Sequence, residues 1–252
     1  MDLSAQLSYN ESVNSSKRAA ELPDVILFDI DDTLYSTNRP HQEGMDVVFK
    51  ELAKVTSLDQ LKLQQLYLQA RNEVKLLLGD TASSHSRLLY FQRLLEYSEA
   101  RDIPLMSIKL EHLYWVQYLK CISPDPSLRQ MMERIKSKGI KIGIVTDLTA
   151  RIQMKKLIRL GISASVDFVV TSEESGLDKP NFVCFMLANQ KANPANKEIN
   201  YWMIGDHLKK DLLGAKIELN AQTFWINPSN QQPSADCVDH SIPSILELND
   251  YI

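Results

Sequence analysis

Five short apolar runs, each followed by polar residues, constrain the fold of this 252-residue chain more than any other feature. They are rich in β-branched and aromatic residues, and their length suits strands that are buried on both faces of a sheet. Helical patterns separate the later runs. This alternation predicts an α/β fold with a parallel sheet. The predicted strands are 25–28, 142–145, 168–170, 201–204 and 223–226, and the predicted helices of this part are 127–138 (with Ser127 as N-cap), 150–160, 181–191 and 209–219.

The stretch between the first and second strands contains no strand pattern. Helical patterns occur there at 44–55, 58–78, 85–97 and 107–120. We therefore expect an all-helical unit over 37–121, inserted into an α/β core that comprises 21–36 and 122–252. Residues 1–20 are polar and form a predicted N-terminal arm.

Charge and composition narrow the class of protein. The net charge is −4, which gives no support to nucleic acid or an anionic membrane as the main partner. Three widely spaced cysteines argue against a disulfide framework or a zinc ribbon. The N-terminus lacks an apolar signal region, and no apolar run is long enough to span a membrane. We expect a cytoplasmic monomer or homodimer.

Polar clusters follow the predicted strands at their carboxyl ends. In an open parallel sheet, this edge is where ligands bind. Taken singly, each cluster could also be a turn, a helix cap or a solvated surface group. Taken together, they predict one pocket in which several carboxylates need a cation, and oxygen ligands favour Mg²⁺ over zinc. The residues are Asp29, Asp31 and Thr33 after the first strand, Thr146 and Asp147 after the second, Lys179 before a predicted helix, and Asp206 and Asp211 after the fourth.

These clusters, in this order, resemble the haloacid dehalogenase-like (HAD) superfamily on its phosphatase side. The resemblance covers about 22–36 and 122–250, through VILFDIDDTLY, KIGIVTD, SEESGLDKP and IGDHLKKDLLGA. It implies a Rossmann-like parallel sheet core. The helical unit matches the placement of the family's C1-type cap, although it carries no recognisable motif.

The resemblance implies a role for each catalytic residue. Asp29 would attack phosphorus and form an aspartyl-phosphate. Asp31 would protonate the departing alkoxide and then activate water. Thr146 and Lys179 would hold the phosphoryl oxygens.

The resemblance also implies a magnesium site. The carboxylates of Asp29 and Asp206 and the backbone carbonyl of Asp31 would hold the ion, and Asp211 would assist through water or by orienting Lys179. Asp147 departs from the family, which often has Asn there; its backbone N–H can still bind phosphate.

The expected function is hydrolysis of a small phosphorylated metabolite, such as a sugar phosphate or a nucleoside monophosphate. Three alternatives stay open at this point: a 2-haloacid dehalogenase, a phosphomutase, and a non-catalytic phosphoacceptor or binding module. The presence of Asp31 argues against the dehalogenase, because a departing halide needs no proton. Four further side chains could face the cleft: Tyr35, Arg71, Arg87 and Arg93.

Overall fold

The computed structural model describes residues 22–232 and 236–252, and the predicted arm at 1–20 lies outside them. One sheet of six parallel strands forms the centre of the core. This confirms the predicted α/β fold with a parallel sheet. The strands are β1 (Val25–Phe28), β2 (Lys141–Thr146), β3 (Phe168–Thr171), β4 (Tyr201–Gly205), β5 (Gln222–Ile226) and β6 (His240–Ile242).

The strand order is β3-β2-β1-β4-β5-β6, so β1 lies between β2 and β4. Phe28 at the end of β1 pairs with Ile144 on one side and Ile204 on the other. All four residues of β1 are buried, as expected for a strand that is covered on both faces. The residues that follow β1, β2 and β4 therefore emerge together at one edge, beside the point where the strand order reverses.

Helices form two groups along the chain. We call residues 38–120 the helical insert, because they lie between β1 and the helix that precedes β2. Within the insert, α1 packs against α4, α4 against α3, and α3 against α2. The insert contains α1 (Asn38–Leu52), α2 (Gln60–Leu78), α3 (Arg87–Tyr97) and α4 (Ile103–Lys120), and the core contains α5 (Pro126–Ser137), α6 (Ala150–Leu160), α7 (Ser172–Ser175), α8 (Phe182–Ala192) and α9 (Gly214–Leu219).

The contact between α1 and α4 depends on a glycine. A Cβ atom on Gly44 would lie 2.8 Å from the ring of Tyr114 on α4. Tyr114 is fully buried, and its ring also contacts Phe91 of α3 at 5.9 Å between centroids. Gly44 thus lets α1 approach the aromatic centre of the insert.

Three helices begin upstream of their predicted starts, and proline lies in the first turn of each. Helices α1, α4 and α5 begin at 38, 103 and 126, upstream of the predicted 44, 107 and 127. Pro40, Pro104 and Pro126 lie in their first turns, where the missing N–H costs no hydrogen bond. The N-cap of α5 is Asp125 rather than Ser127, because the Asp125 carboxylate accepts from the backbone N–H of Ser127 at 2.9 Å.

Two further elements differ from the sequence prediction. The predicted helix 209–219 is a π-helix over Leu208–Leu213 that continues as α9. The short edge strand β6 was not predicted, since it has only three residues. Over the residues 22–232 and 236–252, no helix combines the length and the apolar character that a membrane span requires.

Candidate active site

A cavity of about 570 Å³ lies where the carboxyl ends of the strands meet the helical insert. Core residues line one side of it. We call these the core wall. Residues of the helical insert line the other side, which we call the insert wall. The core wall comprises Asp29, Asp31, Thr146, Lys156, Lys179, Asp206 and Asp211, and the insert wall comprises His41, Tyr67, Arg71 and Arg87.

Three carboxylates of the core wall cluster. Asp29 directly follows β1, Asp206 directly follows β4, and Asp211 lies in the π-helix that comes next. Carboxylate oxygens of the three lie within 4.8 Å of one another. A Cβ atom on Gly205 would lie 2.5 Å from the Asp211 side chain, so only glycine at 205 lets Asp211 come this close to the sheet.

Lys179 joins two of these carboxylates. Its side chain is only 3% exposed, and its Nζ donates to Asp29 Oδ1 at 2.7 Å and to Asp211 Oδ1 at 2.6 Å. The third bond of Nζ goes to the carbonyl oxygen of Val145 in β2, at 3.0 Å. A buried ammonium with three acceptors has a fixed position, and the charges of the two aspartates raise its pKa against the effect of burial.

Negative charge is costly in this cluster. Burial raises the pKa of Asp29 to about 8, although Lys179 acts in the opposite direction. Burial and the neighbouring charge of Asp211 raise the pKa of Asp206 to about 6. A divalent cation would stabilise these carboxylates, and a donor set made only of oxygen suits Mg²⁺. The residues present therefore fit a magnesium ion held by Asp29 and Asp206, with Asp211 beside it.

Asp31 lies in a different environment from Asp29. Lys156 Nζ on α6 contacts both of its carboxylate oxygens, at 2.7 and 2.6 Å, and Tyr35 donates its hydroxyl at 2.6 Å. Burial alone would raise the pKa of Asp31, but the charge of Lys156 and these hydrogen bonds outweigh it and lower the pKa. Tyr35 Oη also lies 2.8 Å from Tyr118 Oη on α4, so this network extends into the helical insert.

Thr146 is the last residue of β2, and Asp147 directly follows it. The hydroxyl of Thr146 accepts a hydrogen bond from Gln153 Nε2 at 2.7 Å. The Asp147 carboxylate accepts from the backbone N–H of Lys179 at 2.9 Å and from Lys210 Nζ at 2.9 Å. Asp147 therefore supports the loop that presents Lys179, and its charge is balanced by Lys210.

The helical insert contributes some of the predicted residues but not all. Arg71 and Arg87 line the cavity. Arg93 instead pairs with Glu73 at 3.7 Å and Glu96 at 2.8 Å, outside the cavity lining.

Several residues that line the cavity or support its lining were missed in the sequence. Gln153 and Lys156 lie one turn apart on α6 and hold Thr146 and Asp31. Their spacing of three was the available signal, but it lies in a helix with several other basic residues. His41 and His85 also line the cavity. His85 Nε2 lies 2.6 Å from Asp178 Oδ2, which links the insert to the loop before α8.

Comparison with known proteins agrees with this geometry. A family model described as haloacid dehalogenase-like hydrolase matches residues 23–217. The chain is 34% identical over 237 residues to a ribulose-1,5-bisphosphate 5-phosphatase of Halopiger xanaduensis (90% of this chain, 98% of the relative). It is 30% identical over 229 residues to a glyceraldehyde 3-phosphate phosphatase of Methanocaldococcus jannaschii (90% of this chain, 96% of the relative).

A solved structure shows the same fold at lower identity. The 2-haloacid dehalogenase of Pseudomonas syringae pv. Tomato superposes with a TM-score of 0.71 at 19% identity, over 91% of this chain and 98% of that chain. The family model and the two relatives confirm the family resemblance expected from the four sequence motifs. The chain belongs to the haloacid dehalogenase-like hydrolases, in their phosphatase branch.

Proposed function

We propose that this hydrolase is a Mg²⁺-dependent phosphatase that acts on small phosphorylated metabolites through an aspartyl-phosphate on Asp29. The observation that carries the proposal is the position of the Asp29 carboxylate, within 4.8 Å of two other carboxylates and 2.7 Å from Lys179. A carboxylate between a cation site and a fixed ammonium can accept a phosphoryl group, because positive charge on both sides offsets the repulsion between two anions.

The metal would be held by the carboxylates of Asp29 and Asp206 and by the backbone carbonyl of Asp31. Asp211 supports this set by fixing Lys179 at 2.6 Å. When bound, the ion supplies positive charge that lets a carboxylate approach an anionic phosphate. The remaining chemistry belongs to side chains of the chain itself.

In the first half-reaction, a carboxylate oxygen of Asp29 forms a bond to phosphorus while the bond from phosphorus to the alkoxide oxygen breaks. Thr146 and Lys179 hold the phosphoryl oxygens. Asp31 donates a proton to the departing alkoxide, which leaves as an alcohol. In the second half-reaction, Asp31 takes a proton from water, and the water oxygen bonds to phosphorus while the bond between Asp29 and phosphorus breaks. Inorganic phosphate is released and the Asp29 carboxylate is restored.

Asp31 must carry a proton to act as the acid, yet Lys156 holds it as a carboxylate. An arriving phosphate gives Lys156 a second anion to contact. The ion pair between Lys156 and Asp31 then weakens. The pKa of the Asp31 carboxyl rises because the charge of Lys156 is shared between Asp31 and the phosphate. Lys156 therefore couples substrate arrival to the protonation of the acid.

The substrate class follows from the relatives and from the cavity. The two named relatives act on ribulose 1,5-bisphosphate and glyceraldehyde 3-phosphate. A cavity of about 570 Å³ accommodates a phosphorylated sugar of that size, so we infer a sugar phosphate before a nucleoside monophosphate. We also infer that the helical insert is a separate cap domain over 37–121. The cytoplasm as the compartment remains a prediction from the sequence.

The test is phosphate release from a panel of sugar phosphates and nucleoside monophosphates, with Mg²⁺ and with excess chelator. We expect turnover that requires the metal and that Asp29→Asn lowers by at least about 10³-fold, because the nucleophile is lost. Asp46→Asn, an exposed carboxylate on α1, is the matched control and should keep full activity. Full turnover in chelator, or release of halide from 2-chloropropionate without metal, would instead support the dehalogenase alternative.

A further inference from the structure

The insert wall carries positive charge that no carboxylate of the described residues pairs with. Arg71 lies on α2, one turn after Tyr67, and Arg87 is the first residue of α3. Among residues 22–232 and 236–252, neither arginine forms an ion pair with a carboxylate. A guanidinium stays protonated in proteins, so both charges persist inside the cavity.

Arg87 is held among aromatic rings rather than by acids. Its Cζ lies 5.4, 5.3 and 5.5 Å from the ring centroids of Tyr90, Tyr114 and Trp115. One amino group donates to the carbonyl of His85 at 2.9 Å. Its Nε is buried and has no hydrogen-bond partner in the part of the chain that the structure describes.

A second orphan group lies beside it. Tyr67 is 4% exposed and lines the same cavity, and its hydroxyl has no hydrogen-bond partner within the described residues. Buried polar atoms in native proteins are nearly always paired. Two unpaired donors on one cavity wall, next to two unbalanced cations, therefore indicate a place for an anionic ligand.

The neighbouring titratable groups agree with this charge distribution. Burial, Arg87 and Arg71 together lower the pKa of His41 to about 4, so His41 is neutral near pH 7 and adds no further cation. Burial and the same two arginines lower the pKa of Lys75. The positive charges of Arg71 and Arg87 thus lower the pKa of two groups that lie on different helices.

The insert wall lies close to the reaction centre. The ring centroid of Trp115 is 5.5 Å from Arg87 Cζ and 5.9 Å from Lys156 Nζ, and Lys156 contacts Asp31 at 2.6 Å. The distance between Arg87 Cζ and Lys156 Nζ can therefore be no longer than the sum of their distances to the Trp115 ring centroid. A short carbon chain can join a phosphate at the core wall to a second anion at the insert wall.

We propose that Tyr67, Arg71 and Arg87 form a second anion subsite, so that preferred substrates carry a phosphate or carboxylate at the end opposite the hydrolysed phosphate. This inference rests on the proposed phosphatase function and narrows its substrate class to short dianionic esters. The planar guanidinium of Arg87 and the hydroxyl of Tyr67 match the acceptor oxygens of either group.

The experiment compares three substrates with the same carbon chain: butyl phosphate, 1,4-butanediol bisphosphate and 4-phosphooxybutanoate. We expect kcat/KM of the wild-type protein to be at least about tenfold higher for the two substrates with a second anion, since only these can form charged hydrogen bonds with the insert wall. A preference for only one of the two identifies the second group as phosphate or as carboxylate.

Variants test the residues. Arg71→Gln and Tyr67→Phe should reduce the preference, with a larger loss for the dianionic substrates than for butyl phosphate. Arg93→Gln, an arginine of α3 that pairs with Glu73 and Glu96 outside the cavity lining, is the matched control and should retain the preference. Arg71 and Tyr67 are chosen because removing Arg87 would also disturb the aromatic packing around it.

Binding separates failure of the subsite from failure of the proposed reaction. Calorimetry with Asp29→Asn protein should give a Kd for 1,4-butanediol bisphosphate at least about tenfold below that for butyl phosphate, and adding Arg71→Gln should remove the difference. Equal kcat/KM for all three substrates, with hydrolysis intact, would overturn the subsite and leave the phosphatase standing. Equal binding by Asp29→Asn protein would overturn the subsite whether or not any ester is hydrolysed.

Discussion

The two walls of the cavity differ in how their charges are balanced. On the core wall, Asp29 and Asp211 share Lys179, and Asp31 has Lys156. On the insert wall, two arginines have no ion-paired carboxylate among the residues described. The aspartates Asp29, Asp31 and Asp211 thus have their counter-charges within the protein, whereas the proposed anion subsite would receive its counter-charge from a ligand. In the function proposed above, residues at the carboxyl ends of the strands would carry out the chemistry, and residues of the helical insert would select the substrate.

Replacing Lys179, the ammonium at the centre of the core wall, should have the largest effect on turnover. Lys179→Met leaves the Asp29 and Asp211 carboxylates without the ammonium that lies 2.7 and 2.6 Å from them. We expect turnover to fall by at least about 10³-fold, because the phosphoryl oxygens also lose a donor. Breaking the buried pair should lower the free energy of unfolding by about 3 kcal/mol in chelator, measured by urea denaturation. Wild-type turnover in this variant would refute the role of Lys179.

Lys156→Met addresses the second lysine of the core wall. Lys156 is 2% exposed and contacts both oxygens of Asp31, so its loss frees the proposed acid from its orienting partner. We expect kcat on alkyl phosphates to fall about 10- to 100-fold, and much less on p-nitrophenyl phosphate, whose leaving group needs no proton. Lys155→Met, one residue earlier on α6, is the control. Equal losses on both substrates would argue against a link to acid catalysis.

Gly44→Val tests the packing behind the insert wall. The added side chain would meet the ring of Tyr114, 2.8 Å from the position of a Cβ atom. We expect a loss of about 1–3 kcal/mol in the free energy of unfolding, as is typical of an overpacked core. Gln42→Val, at an exposed position of the same helix, controls for the helix propensity of valine. Equal urea midpoints for the two variants would contradict the close contact.

The smallest expected effect concerns acid sensitivity of the insert wall. The pKa of His41 is lowered to about 4 by burial, Arg87 and Arg71, against about 6.5 in an unfolded chain. Between these values the unfolded state binds a proton that the native state does not, so stability falls as the pH drops from 6.5 towards 4. His41 lies beside Tyr67 of α2 and Tyr114 of α4.

His41→Gln should reduce the loss of unfolding free energy between pH 7 and pH 5 by less than about 1 kcal/mol, because solvent screens the charge of a partly exposed histidine. Urea midpoints at pH 7 and pH 5 provide the measurement, with exposed His112→Gln as the control. A variant whose midpoint falls as much as that of the wild-type protein would rule His41 out as the source.

The core could be predicted in detail because its signals are local. Each of the five predicted strands is an apolar run, and Asp29, Thr146 and Asp206 each lie at the end of one. Topology then brings these ends together whatever the rest of the chain does. The helices that begin upstream of their predicted starts also have a local cause, because Pro40, Pro104 and Pro126 lie in their first turns and a first turn accepts proline.

The insert wall could not be predicted to the same degree. Arg87 and Arg93 lie on the same short helix and look alike in sequence, yet only Arg87 lines the cavity. Which arginine faces inward depends on how α3 docks against α2 and α4, and that is set by long-range packing. Lys156 was missed for a related reason, because a lysine in a basic helix resembles a solvated side chain until its partner Asp31 is known.

The pair of tyrosine hydroxyls has a consequence for selectivity. Tyr35 bonds the proposed acid on one side and meets Tyr118 of α4 on the other. A bulky molecule that displaces α4 outward would move Tyr118 and Tyr35 and break the hydrogen bond from Tyr35 to Asp31. The Asp31 carboxyl group would then no longer be oriented for proton transfer. Oversized esters could then bind tightly and still be cleaved slowly, so the enzyme would discriminate against them through kcat rather than through binding.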